Sequence, residues 1–213
     1  MTTTSRKPRG EYAKTRTRRR EILEAAVEVF SSSGFHKGSL RDVAERVGLS
    51  QPGLLHHFPS KEILLEAVLT WRDDQSRVLL GDPFPGGIDL LRGMVELARY
   101  NQGTPELVEL HVMLSAEGTS HDHPLHQYFV DRYAEVFAMI DTAFRDAEAA
   151  GELKPGVECG SAARTLIALM DGLQVQWLLH REGVDMAGDL ARYLQSLLSV
   201  DLSPQRGELP SSR

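Results

Sequence analysis

Apolar residues recur along most of this chain with the spacing of one helix face, not with the alternation of a strand. Ile22, Ala25, Ala26, Val29 and Phe30 fall at i, i+3, i+4, i+7 and i+8, which predicts a helix from about Thr17. Gly34, after three serines, supplies a left-handed stop, and Phe35 is placed to pack back on the last turn. Ser39-Leu40-Arg41-Asp42 opens a short helix, Leu40 to about Val47, that Gly48 ends. Ser50 caps another, with Pro52 in its first turn, which reaches about His57 before Phe58-Pro59 breaks it. Ser60 caps a fourth, with Ile63, Leu64, Ala67, Val68 and Trp71 on one stripe continuing towards Leu80.

Beyond the Pro/Gly knot at Asp82–Gly87 the pattern stays helical. Helices are expected near Ile88–Asn101, Pro105–Glu117, Pro124–Ala150, Val157–Arg181 and Met186–Val200, with Asp185 as the last N-cap. No stretch combines alternation with β-branched enrichment, so strands are not expected. The fold class is therefore all-α with about nine helices, an N-terminal three-helix domain followed by a larger helical domain. The expected organisation is a flexible basic arm over 1–14, a helix-turn-helix domain over 15–60, the second domain over 61–200 and a disordered tail over 201–213.

The 213 residues carry 41% apolar and 25% charged positions, ordinary globular values. No apolar run approaches the roughly 18 residues of a membrane span, and the basic N-terminus lacks the apolar core of a secretory signal. The single cysteine, Cys159, excludes a disulfide scaffold and fits a reducing cytoplasm. A net charge of −6 argues mildly against nucleic acid until it is divided. Residues 1–72 carry 13 Lys and Arg against 8 Asp and Glu, a net of +5, and residues 73–213 carry 11 against 22, a net of −11. That gradient points to a nucleic-acid partner for the front alone.

Leu40–Val47 and Gln51–His57, joined by Gly48-Leu49-Ser50, have the form of a helix-turn-helix, in which Gly48 supplies φ > 0 and a buried Leu49 fixes the crossing angle. Such a second helix lays its N-terminal residues against base edges in the major groove. Gln51, Pro52, Gly53 and His56 are the candidate readers: glutamine can pair with adenine N6/N7, proline can pack on a thymine methyl, and glycine admits close backbone approach. Ser39, Arg41, His57 and Lys61 lie at helix starts or flanks, where phosphates pass. Eight basic residues among the first twenty can follow the DNA backbone or enter the minor groove.

Arg18 to Ala26, Phe30, Gly34-Phe35, Ser39 to Ala44, Gly48-Leu49-Ser50 and Leu54 to Leu64, in this spacing, closely resemble the TetR family of transcriptional regulators. The likeness runs from about Thr15 to Leu69. It implies a homodimer whose N-terminal helices bind a palindromic operator, and an all-α C-terminal domain whose small-molecule ligand weakens DNA binding. Leu55 departs from the family's common tyrosine, which often touches a phosphate; His56 or His57 is placed to substitute for that contact.

In the acidic part, the last two helices carry broad apolar faces: Ala162, Ala163, Leu166, Ile167, Met170, Leu173, Trp177 and Leu178, then Leu190, Tyr193, Leu194, Leu197 and Leu198. The resemblance implies that this pair forms a two-fold four-helix interface; intrachain core is the alternative. Met94, Tyr100, His111, Phe129, Tyr133, Met170, Gln174 and Trp177 combine apolar walls with a few polar groups, the composition of a ligand pocket. The alternative is that each polar group is satisfied in the core or faces water. His121, His123 and His126 suggest a metal-dependent hydrolase as a second function class, although their spacing matches no known site and no hydrolase motif accompanies them. An architectural DNA binder without a sensor is the third, and the acidic half speaks against it. The expectation is a ligand-responsive regulator, a repressor in its simplest form. It is not an enzyme, needs neither cofactor nor metal, and has double-stranded operator DNA, a second copy of itself and a small-molecule effector as partners.

Overall fold

A computed structural model describes residues 9–202, with side chains from Thr15 onward. Among the described residues the chain is all-α: α1 Arg9–Lys37, α2 Leu40–Arg46, α3 Gln51–His57, α4 Lys61–Leu80, α5 Gly87–Gln102, α6 Pro105–Glu117, α7 His126–Ala149, α8 Cys159–Leu179 and α9 Met186–Leu197. An isolated antiparallel bridge pairs Leu153 with Leu198.

The helix starts follow the expected side chains. The hydroxyls of Ser39, Ser50 and Ser60 accept from the N–H of Asp42, Gly53 and Ile63, and the Asp185 carboxylate accepts from Gly188. α8 begins two residues later than expected because Glu158 caps it, its carboxylate accepting from Gly160 N–H at 3.1 Å and Ser161 N–H at 2.6 Å. α7 begins at His126 instead of Pro124, since His123 Nδ1 takes the Leu125 N–H and holds the preceding turn. α9 stops at Leu197, where the chain turns to give its Leu197 carbonyl to Lys154 N–H and its Ser199 N–H to Glu152.

The described structure reaches into both expected end segments. α1 is described from Arg9, so residues 9–14 of the expected arm are helical; residues 1–8 of the expected arm lie outside the described residues. Asp201 and Leu202 are held: Arg92 donates to both carbonyls, and the Leu202 N–H donates to Gln195 Oε1 at 2.9 Å. The remainder of the expected tail, 203–213, lies outside the described residues.

The chain forms two compact units. One comprises the residues up to Arg72 together with Glu109–His126, and the other Asp73–Val108 with the residues from Gln127. The expected boundary after residue 60 falls at the Ser60 cap, whereas the units part within the continuous helices α4 and α6. In the first unit Ile22, Ala26 and Phe30 of α1 are buried with Val43 and Ala44 of α2, Leu54 of α3, Phe58, and Leu64, Leu65 and Val68 of α4. Leu49 is only half-buried and is not the expected plug. The turn is fixed instead by Gly48 at φ 67° and by the Leu49 N–H, which reaches back 2.8 Å to the Ala44 carbonyl.

The long helix of α1 breaks at Gly34, as expected, with φ 66° and ψ −175°, and only a short turn to Lys37 follows. The Phe35 N–H, released from the helical ladder, donates to Glu117 Oε2 at 2.9 Å. A Cβ at position 34 would lie 2.7 Å from Glu117 Oε1, so glycine serves both the dihedral and the close approach. His123 is buried beside this clamp, its ring edge-on to Phe35 at 4.7 Å and its Nε2 3.8 Å from Glu117. Burial holds the imidazole below its ordinary value; Glu117 opposes that shift and His36 adds to it.

In the second unit Leu90, Leu91 and Met94 of α5, Ile140, Phe144 and Ala147 of α7, Ala163 and Leu166 of α8, and Leu190 and Leu194 of α9 are buried. α7 and α8 run antiparallel in a register set by three contacts. Cys159 Sγ lies 3.6 Å from Glu148, Arg164 stacks over the Phe137 ring at 4.9 Å, and the Tyr133 hydroxyl donates to Asp171 Oδ2 at 2.8 Å. Arg132 of α7 donates to both Asp73 oxygens, and the Tyr128 hydroxyl donates to one of them.

Two stability measurements check this packing. The Arg132 and Asp73 side chains are 19% and 26% exposed, so Asp73→Ala leaves a largely buried guanidinium uncompensated and is expected to cost about 3 kcal/mol in urea denaturation. His123 binds its proton more weakly folded than unfolded, so stability is expected to fall as the pH drops below the ordinary imidazole value of 6.5. The urea midpoint is therefore lower at about pH 5.5 than at pH 7.5, and the decline is smaller in His123→Gln.

Candidate nucleic-acid interface

α2 and α3 have seven residues each, too short to persist alone in water. Besides their N-caps and their buried side, two arginines of α1 hold them. Arg18 donates to the Val47 carbonyl at the C-cap of α2, at 3.2 Å. Arg19 donates to the His57 carbonyl at the end of α3, at 2.8 Å, and its guanidinium stacks 4.2 Å over the Phe58 ring. Each charge sits at a helix C-terminus, where orphan carbonyls and the helix dipole favour a cation. The sequence pattern places these arginines with a basic arm free to follow phosphate. The structure gives them the task of locking the two helices to α1. No short-range signal announces this, because the partners lie 29 and 38 residues away.

What this frame leaves outward is the start of α3. Gln51, Pro52 and His56 are exposed, as is Arg41 of α2, while Ser39, Gly53, His57 and Lys61 are partly covered. Arg41, Ala44, Glu45, Leu49 and Gln51 line a shallow surface groove. The Ser39 and Ser50 hydroxyls are already engaged as caps. Burial holds His57 below the ordinary imidazole value, and the charges of His56, Arg19 and Arg18 add to the effect; near neutral pH it is an uncharged donor. Lys61 differs from a free phosphate-seeking lysine: its Nζ lies 4.6 Å over Phe35 and 5.6 Å over Phe30, and burial lowers its pKa against the pull of Glu62 and Glu117. Leu55 is half-buried.

The eight candidate pocket residues are divided between the two units. Met94 of α5, Phe129 of α7 and Met170, Gln174 and Trp177 of α8 are buried, all in the second unit, and Tyr133 is half-buried with its hydroxyl on Asp171. His111 is buried but belongs to the first unit. Tyr100 is 37% exposed on the last turns of α5, so it is a surface residue and does not wall a closed site.

Much of the apolar surface expected at a two-fold interface is already used within the chain. Ala162, Ala163, Leu166, Met170, Leu173 and Trp177 of α8 and Leu190 and Leu194 of α9 are buried. The large apolar side chains that α8 leaves exposed are Val175, 42% exposed, and Leu179, 83% exposed.

The histidine run does not gather. His123 points inward, the His126 Nδ1 is hydrogen-bonded to the Gly118 carbonyl at 2.8 Å, and His121 is exposed beside the His126 ring. Among the described residues no three His, Cys, Asp or Glu side chains are arranged to hold a metal ion. Burial and the neighbouring Glu148 push the Cys159 thiol up, away from the reactive thiolate. Among the described residues no helix is long and apolar enough to cross a membrane.

Comparison with known proteins bears on both halves. The profile of bacterial regulatory proteins, tetR family, matches residues 22–68, and that of the C-terminal domain of BetI-type transcriptional repressors matches residues 88–199. The chain is similar to the HTH-type transcriptional regulator UidR of Escherichia coli strain K12, 29% identical over 193 residues that cover 89% of this chain and 92% of UidR. The structure of Salmonella enterica GusR superposes with a TM-score of 0.69 at 29% identity, over 86% of this chain and 96% of GusR. A complex of SmeT with triclosan shares the fold, with a TM-score of 0.73 at 20% identity, over 92% of this chain and 96% of SmeT. A helix-turn-helix assembled on α1 and a C-terminal half matched by its own profile together make this chain a member of the TetR family of transcriptional regulators.

Proposed function

We propose that the protein is a cytoplasmic, ligand-responsive repressor that binds a palindromic operator as a homodimer. The observation that carries this reading is the outward face of α3: Gln51, Pro52 and His56 exposed at a helix whose two ends are tied down by Ser50 and Arg19. A reading helix must be rigid before it is specific, since a mobile one surrenders ordering entropy to every sequence alike. Gln51 and His56 are the base readers, Pro52 and Gly53 allow close approach, and Ser39, Arg41, His57 and Lys61 line the phosphate side. Val175 and Leu179 of α8 supply the centre of the self-association surface, with α9 alongside.

The effector binds in the second unit, among Met94, Phe129, Tyr133, Met170, Gln174 and Trp177. α4 runs from the Ser60 cap into that unit, where Asp73 is pinned by Arg132 and Tyr128 of α7. An effector that prefers one position of α4 changes the spacing of the two α3 helices, by no more than its difference in affinity for the two states. The SmeT complex with triclosan supports a small-molecule effector as the general mode.

Selection of bound sequences from a random DNA pool tests the proposal, with recovery of a two-fold symmetric site as the expected result. Gln51→Ala is expected to lose about 1–3 kcal/mol of discrimination at one symmetric pair of positions. Arg19→Ala, by loosening α3, weakens all sequences while leaving the preferred site unchanged. Retention of full discrimination in Gln51→Ala would remove α3 as the reader. Leu179→Glu is expected to dissociate the dimer in sedimentation velocity and to lower operator affinity, with little change in the helix content of each chain.

A further inference from the structure

Gln174 is 3% exposed, and its Oε1 lies buried with no hydrogen-bond partner. An unmet buried carbonyl destabilises a fold, and native cores rarely retain one without a use for it. Its neighbours on the buried stripe of α8 are apolar. Met170, Gln174 and Trp177 recur at i, i+4 and i+7 on the buried stripe of α8. The α7–α8 register runs from Cys159 beside Glu148, through Arg164 over Phe137, to Tyr133 on Asp171. One further turn along it brings Phe129, itself buried, to the level of Gln174. Gln174 is therefore an acceptor set among two aromatic rings and a methionine, one helical step from the hydrogen-bonded Tyr133–Asp171 pair.

Resting on the reading of the second unit as the effector-binding part, we infer that Gln174 is the polar anchor of the effector and that the effector is an uncharged apolar molecule carrying an O–H or N–H donor. The acceptor selects for a donor on the ligand. The apolar neighbours select for an aromatic or aliphatic body. Charge is disfavoured because a single neutral carbonyl offers no counter-ion at this depth, and Asp171, one turn earlier on α8, already accepts from Tyr133. A ligand without a donor leaves Oε1 as unmet as it is in the empty protein and binds correspondingly less well.

Matched probes test this: a series of 4-alkylphenols and their methyl ethers, which share shape but differ in the single donor, titrated calorimetrically into the full-length protein. The phenols are expected to bind at least about tenfold more tightly than the ethers, a typical consequence of an unmet buried acceptor. In Gln174→Met the preference is expected to fall to within about twofold. The empty Gln174→Met protein is expected to melt no lower than wild type, since the amide oxygen has no partner to lose. Phenols and ethers binding equally, ethers binding better, alkylammonium probes displacing the phenols, or a lowered melting temperature in Gln174→Met would overturn the role of Gln174 and leave the effector-binding unit in place. Failure of phenols and ethers alike to bind at millimolar concentration would overturn both.

Discussion

Two helices of seven residues cannot hold a fixed orientation by their own hydrogen bonds, because the nucleus costs about as much as so few turns return. Everything this protein does at its N-terminal end depends on how that deficit is met. Burial of Val43, Ala44, Leu54 and Phe58 supplies the apolar part. Polar anchoring at both ends of each helix supplies the rest: serine hydroxyls at the starts, and the α1 guanidiniums of Arg18 and Arg19 at the finishing carbonyls. The arginines act on groups that the helix leaves unsatisfied by geometry, so each bond removes a cost as well as adding an attraction. With both helices fixed from α1, the side chains at the start of α3 are free to point outward.

The same economy is visible at the far end of α1. Gly34 breaks the helical ladder, and the N–H set free at Phe35 is taken by Glu117. One carboxylate thereby joins α1 to α6 and lies against the buried imidazole of His123. In the other unit the long helices α7 and α8 are stable enough by length to leave polar groups for other duties. Their register is fixed by side-chain pairs spaced along both helices, of which Tyr133 with Asp171 is one. A rigid frame of this kind lets a single unmet carbonyl, that of Gln174, persist in the core.

Much of this was legible in the residue order. Stripe spacing located all nine helices among the described residues, and Ser39, Ser50, Ser60 and Asp185 cap where their types indicated. Helix ends were less legible where a residue outside the usual capping types intervened, as with Glu158 at α8 and the His123 ring before α7. Leu49 was read as a plug from its isolation between polar neighbours, but its half-buried position shows that hydrophobicity alone does not settle burial at a turn. Arg18, Arg19 and Lys61 were read by charge as phosphate-seeking. Arg18 and Arg19 also bond carbonyls, and Lys61 also lies over an aromatic face, partners far along the chain and absent from any local pattern.

The sequence by itself therefore determined the helices, the turn geometry at Gly48, the division of charge between +5 and −11, and the family, because each depends on residues within a few turns of one another or on composition. Tertiary structure decided which charges are spent internally, which of the large apolar residues on α8 remain outward, and that Gln174 is buried with an idle acceptor. The physical reason is that helix formation and capping are local, whereas burial and hydrogen-bond satisfaction depend on partners that only the packed chain brings within reach.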